Sequence, residues 1–194
     1  MATLKDYRDE RLRKLAELKE LGVNPYPAAA TRTHKNQLIE SDFNNLQGKT
    51  VTVVGRIKSI RKFGKIAFVV IKDDTASLQL FWRASDTTAD YTNSELAMKD
   101  ITLLDSGDFV ECTGTVIKTQ TGEISVEVAT MRLLTKSLRP LPSEQEGFTD
   151  KEERLRRRYV DTNVNPDVYQ RFVRRSKFWQ ATREYLMAQG FLEI

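Results

Sequence analysis

One cysteine, Cys112, and one histidine, His34, are all the chain has of the two residue types most often found binding metals or attacking substrates. A lone cysteine excludes an internal disulfide and suits a reducing compartment. It lies in the alternating run DFVECTGTVI, where a small buried side chain is expected rather than a nucleophile. The single histidine has no second ligand of its kind, so neither a zinc site nor a histidine-based triad is expected, and no metal site is anticipated. Long hydrophobic runs are also missing. The longest, IAFVVI, is far too short to span a bilayer, so no membrane partner is expected. The opening MATLKDYRDE is charged from its fifth residue and does not read as a secretory signal, which makes the cytoplasm the expected location. Internal repeats and low-complexity tracts are absent as well.

What is present describes a folded chain. With 194 residues, 40% of them hydrophobic and 30% charged, it has the length for one domain plus extensions, or one domain and part of a second. The net charge of +4, from 31 basic and 27 acidic residues, is less informative than its distribution. Between Thr50 and Lys72 stand Arg56, Lys58, Arg61, Lys62, Lys65 and Lys72, with no carboxylate before Asp73. A second basic cluster is RLRRR, Arg154 to Arg158, and a third is Arg174, Arg175 and Lys177.

The segment DYRDERLRKLAELKELG predicts a helix, with Leu12, Leu15, Leu18 and Leu21 on one stripe and Gly22 as its stop. From Thr50 to Leu134 the pattern changes to strands: TVTVVGRIKSIR, with Gly55 where the strand could bend or bulge, then KIAFVVIKD after a Phe63-Gly64 turn, then ASLQLFWRA. TNSELAMKDITLL has helical spacing through Leu96, Met98 and Ile101. DFVECTGTVIKT and EISVEVATMRLL follow as two more strands joined by Gln120 to Gly122. Three strands, a short helix and two strands suit a small closed five-stranded barrel of the oligonucleotide-binding type, with the helix plugging one end. SLRPLPSEQEGFTD reads as a linker, and KEERLRRRYVD as the start of a helix. Asn165-Pro166 reads as N-cap and first turn of a longer helix. That helix places Val168, Phe172, Trp179, Thr182 and Leu186 on one side and ends at Gly190; FLEI then begins something extended.

Alternation assigns the faces of the strands. Ala67, Val69 and Ile71 share one face of the second strand, and Ile66, Phe68 and Val70 the other. In the third strand Leu78, Leu80 and Trp82 lie opposite Ser77, Gln79 and Phe81. The second strand alone leaves open whether Phe68 fills a core or lies on the outer surface. If it shares a side with Gln79, then an aromatic plane, an amide and the Arg61 guanidinium occupy one outer surface. Those parts suit a flipped-out base, with lysines for phosphates. Barrels of this kind also bind sugars and proteins, so the residues by themselves do not choose.

GRIKSIRKFGKIAFVVIKDDTASLQLF, KTQTGEISVEV, LLTKSLRPLP, RYVDTNVNPDVYQRF and GVNPYP closely resemble the class II lysyl-tRNA synthetases, over nearly the whole chain. The resemblance implies an N-terminal anticodon-binding barrel for the U-rich anticodon of lysine tRNA. Phe68 would stack on the central uracil, Arg61 and Gln79 would hydrogen-bond it, and Glu123 would contact the wobble base. Lys58, Lys62 and Lys65 would meet the RNA backbone. It also implies a domain plan: a helical extension over 1–48, the barrel over 49–136, a linker over 137–152, and over 153–194 the start of a class II catalytic domain that breaks off in its first motif. The full-length enzyme would use ATP and Mg2+ to attach lysine to its tRNA and would act as a homodimer. This chain would hold no catalytic residue or cofactor and be inactive alone, with RLRRR and RRSK left without partners. The alternatives are a general single-stranded nucleic-acid-binding protein, and a protein-interaction module whose first helix docks a partner.

Overall fold

Thr3 opens the first helix, α1 (Leu4–Glu20), by a reciprocal cap: its hydroxyl accepts from the Asp6 amide, and its own amide donates to the Asp6 carboxylate. Leu15 and Leu18 are buried, as the stripe predicts. Arg11 is buried too, which periodicity did not anticipate. Its guanidinium donates to the carbonyls of Ser106 (2.9 Å) and Ser137 (3.0 Å), so the cation enters the interior with acceptors waiting. The computed structural model describes residues 3–85, 87–142 and 148–194. The chain divides into two compact units, Met1–Pro140 and Leu141–Ile194.

Two short helices follow α1 that were too brief for periodicity to reveal: α2 (Asn36–Ser41) and α3 (Phe43–Leu46). The first of them is anchored through Asp73. One of its carboxylate oxygens accepts from the Asn36 amide, and the other from Thr75 N, Thr75 Oγ1 and Ala76 N, at 2.6 to 3.0 Å. Burial would raise the Asp73 pKa, but these bonds outweigh it and hold the carboxyl below its ordinary value. A depressed folded pKa adds stability that is present above the unfolded value of about 3.9 and is lost as pH falls through the folded one. Asp73→Asn is therefore expected to cost about 1–3 kcal/mol at pH 7, and the gap to wild type should close as pH drops below about 4. Paired urea titrations at several pH values would show it; a gap constant with pH would refute it.

The sheet comprises β1 (Thr50–Phe63), β2 (Ile66–Lys72), β3 (Ser77–Arg83), β4 (Glu95–Leu96), β5 (Phe109–Lys118) and β6 (Ile124–Thr135). β1 is long enough to serve two neighbours, pairing with β5 through residues 50–56 and with β2 through 56–63. β3 also pairs in parallel with β6, so the ladders run in a circuit β1–β2–β3–β6–β5–β1. Where Gly55 suggested a bulge, the register instead slips between Ile57 and Ser59. A Cβ at Gly55 would sit 3.0–3.1 Å from Ile71 and Lys72, so this glycine admits the close approach of β2. A second slip, between Thr113 and Gly114 on β5, brings the Glu127 carbonyl directly over the Gly114 α-carbon.

The expected helix around Leu96, Met98 and Ile101 takes another form. Ser94 is left-handed (φ 60°) and stops a first 3-10 turn, Glu95–Leu96 pairs with β6 as the extra strand β4, and Met98–Leu103 is a 3-10 helix. Asp100 holds that segment by accepting from the Ala97 amide and the Tyr91 hydroxyl. The apolar spacing was sound, since Leu96, Met98, Ile101 and Leu103 all join the core formed by the inner faces of the strands. Cys112 lies in that core at 0% exposure, where burial pushes its thiol pKa well up and removes any nucleophilic role. Behind β6 stands Lys136, also fully buried. Its ammonium donates to the Leu103 carbonyl (2.8 Å), Asp105 (2.6 Å) and Asp108 (2.7 Å).

The second unit holds α4 (Lys151–Arg156), α5 (Arg158–Val164) and α6 (Pro166–Ala188). α4 begins inside the stretch read as linker, whose residues 143–147 lie outside those described. Pro166 opens α6 as expected, but the Asn165 side chain does not cap it, donating instead to Asp161 and to the Phe148 carbonyl. The RLRRR arginines are not left without partners. Arg154 and Arg158 both grip the buried Asp161, while Arg156 and Arg157 pair with Glu152 and Glu153 one turn back. Of the predicted apolar side of α6, Val168 is buried, whereas Phe172, Trp179 and Leu186 are 41–49% exposed.

Candidate nucleic-acid interface

The burial pattern of β2 alternates strictly. Ala67, Val69 and Ile71 face the core, and Ile66, Phe68 and Val70 are half-buried on the outer face. β3 repeats this with Leu78, Leu80 and Trp82 inside, and Gln79 and Phe81 half-buried outside. Directly opposed residues of an antiparallel pair share a face. The register sets Phe68 opposite both Arg61 on β1 and Phe81 on β3, and Val70 opposite Gln79. Phe68 therefore lies on the outer surface, on the same side as the amide and the guanidinium.

Three rings cluster there. Phe81 stacks on Phe68 with centroids 5.3 Å apart and planes 25° apart, and Phe63 meets Phe68 edge-on at 6.3 Å. The Arg83 guanidinium covers Phe81 at 4.8 Å. Beside the rings opens a pocket of about 370 Å³ whose lining includes Arg61, Val70, Gln79, Thr121 and Glu123, within the size range of small-ligand sites. Phe68 stands one pleat repeat from Val70, at the rim.

The orientation of the Gln79 amide follows from its neighbour. The buried Ser125, brought alongside by the parallel β3–β6 ladder, accepts from Gln79 Nε2 at 2.9 Å and turns its own proton to the Glu123 carbonyl. Gln79 Oε1 is thereby left for an outside donor. Glu123 is positioned by the turn after β5: Thr119 N donates to the Glu123 carbonyl, Glu123 N donates to Thr119 Oγ1, and Gly122 takes the left-handed φ of 90° that the turn needs. Among the described residues no cation pairs with the Glu123 carboxylate. Lys62 and Lys65 are exposed on the β1–β2 hairpin with Arg61. Lys58 is placed differently: half-buried at the register slip, it lies beside the 105–108 turn, where its carbonyl accepts from Ser106 Oγ.

The geometry thus brings Arg61, Gln79 and Glu123 into one pocket with Phe68 at its edge, and leaves Lys58 out of it. Residues 51–134 match the family model of the tRNA anticodon OB-fold nucleic acid binding domain. The chain is also 42% identical over 184 residues to a lysine–tRNA ligase of Carboxydothermus hydrogenoformans, an alignment covering 95% of this chain and 36% of that protein. The chain is similar to a region of the lysine–tRNA ligases.

Comparable matches are the lysine–tRNA ligases of Syntrophomonas wolfei, 42% identical over 98% of the chain, and Clostridium novyi, 40% identical over 95%. The chain spans little more than a third of the length of those relatives, 35–38%. Sequence reasoning put Phe81 on the Gln79 side without giving it a role, and it missed Ser125. Alternation carried the signal for Phe81. Nothing local carried one for Ser125, which meets Gln79 from 46 residues away. Among the described residues no helix is long and apolar enough to cross a membrane, and no cluster of three or more His, Cys, Asp or Glu could hold a metal ion.

Proposed function

We propose that the sheet circuit is an oligonucleotide-binding barrel that reads the anticodon loop of lysine tRNA. The observation that carries the reading is the convergence of Arg61, Gln79 and Glu123 on one pocket, with the half-buried Phe68 opposite Arg61 on the same face. A uracil leaving the loop stack would lie against Phe68. Its N3–H would be donated to Gln79 Oε1, and a ring carbonyl would accept from Arg61. Cytosine has an acceptor in place of that N3–H, so the amide oxygen would face a lone pair, and the mismatch would leave a polar atom unpaired. Glu123 would accept an N–H of the wobble base. Lys62 and Lys65 would meet phosphates along the hairpin.

The whole enzyme, in this reading, is a cytoplasmic homodimer that attaches lysine to its tRNA with ATP and Mg2+. In that enzyme the part played by this chain would be substrate choice. The helical extension (1–48), the linker (137–152) and the start of the catalytic domain (153–194) are proposed on the same footing.

The test is binding of a lysine tRNA anticodon stem-loop. Phe68→Ala is expected to weaken it by about 1–3 kcal/mol, and Lys65→Ala should lower the slope of log affinity against log salt by about 0.7. Wild type should prefer the stem-loop to polyuridine. Equal affinity of wild type and Phe68→Ala would remove the stacking role, and indifference between the two RNAs would favour a general single-strand binder.

A further inference from the structure

The outer face has an order that the pocket alone does not exhaust. Along β3 the outward positions are Ser77, Gln79, Phe81 and Arg83, spaced two residues or about 6.7 Å apart. Cross-strand partners fix what stands at each level. Gln79 is level with Val70 and Ser125, Phe81 with Phe68 and Arg61, and Arg83 with Ile66, which itself pairs with Phe63. Glu123 and Thr121, just before Ser125, mark the Ser77 end. Phe63 marks the other.

Phe63 is 59% exposed, the most exposed phenylalanine of this patch. Its ring meets that of Phe68 in a T-shaped contact, with centroids 6.3 Å apart. It shares the outer face with Ile66, Phe68 and Phe81, and the nearby Arg61 and Lys65 suit an anionic phosphate backbone rather than a basic or neutral partner. An exposed aromatic ring beside cations, one step from a base-sized pocket, is an arrangement that takes single-stranded nucleotides by stacking.

From this geometry we infer that Phe63 is a second stacking platform, holding the nucleotide that follows the one read at Phe68 and Gln79. The inference rests on the anticodon reading above. With the wobble base at Glu123 and the central base at Phe68, chain order carries the third anticodon base away from Glu123, toward the β1–β2 hairpin tip and onto Phe63. Phe63 contributes affinity and register. It has no polar atom with which to tell one base from another.

The experiment measures binding of the full chain to four versions of the lysine tRNA anticodon stem-loop: intact, and with an abasic nucleotide at the first, second or third anticodon position. Phe63→Ala should weaken the intact RNA about tenfold, have little effect on the RNA abasic at the third position, and keep its effect on the other two. Phe63→Tyr should retain wild-type binding. Loss of the effect with the first- or second-position abasic RNA, an equal loss on all four, or no loss at all would overturn the inference. Phe68→Ala, measured alongside, separates the two claims. If it weakens binding and Phe63→Ala does not, only the second platform fails; if neither does, the anticodon reading fails with it.

Discussion

Lys136→Met is expected to lower the unfolding free energy by about 3–5 kcal/mol, because it removes one side of a buried ionic cluster and leaves the other behind. Asp108 is fully buried and shares its carboxylate with the Lys136 ammonium, the Ser137 amide and the Asp105 amide. Burial pushes its pKa above the ordinary value, against the pull of Lys136. Without the ammonium the ionised carboxylate has no cation within that shell. A raised folded pKa makes ionisation the costly state, so the deficit of the variant should be largest near neutral pH and shrink as pH falls and Asp108 protonates. Lys136→Met combined with Asp108→Leu should recover part of the loss, since a buried pair replaced on both sides can be nearly neutral. Urea titrations of the three proteins at several pH values measure both effects. A Lys136→Met chain as stable as wild type, or a deficit that grows toward acid, would show that the cluster is not held as an ion pair.

Gly114→Ala is expected to cost about 3 kcal/mol or more. A methyl group at this position would coincide with the Glu127 carbonyl oxygen and crowd Val126, and both are ladder neighbours that cannot rotate away as a flexible side chain could. Relief would require β5 and β6 to part at the register slip. Glu127 also pairs with Phe81 in the parallel ladder, so the strain reaches the ring that supports Phe68. Gly114→Ala should therefore lower both the melting temperature and stem-loop affinity. An unchanged melting temperature would mean that the strands part there freely.

The part of this fold legible from sequence was the part governed by local rules. A period of two assigned the faces of β2 and β3, because each strand buries one side and the third carries Gln79 where a core residue would be apolar. The leucine stripe and the Gly22 stop located α1. What sequence could not show depends on residues brought together from a distance. Arg11 and Lys136 look like surface cations until acceptors from the 103–108 segment are put beside them. Met98–Leu103 has apolar spacing that an α-helix and a 3-10 helix can both satisfy, and the left-handed Ser94 and the pairing of β4 with β6 decided between them. In the arginine cluster, the family resemblance implied side chains left without partners, whereas Asp161 gathers two of them. At the pocket, family resemblance supplied Glu123, and only the folded chain supplied Ser125.

The parallel pairing of β3 with β6 has a consequence for the order of events during synthesis. The hairpin bearing Arg61, Phe68 and Gln79 can form early, from contiguous sequence, but Gln79 acquires its Ser125 partner only after the chain has lengthened by another 46 residues. A nascent polypeptide halted before Glu123 would display the rings with an unrestrained amide and no carboxylate at the pocket. On the anticodon reading, competence to discriminate between RNAs would thus arrive only with the last strand.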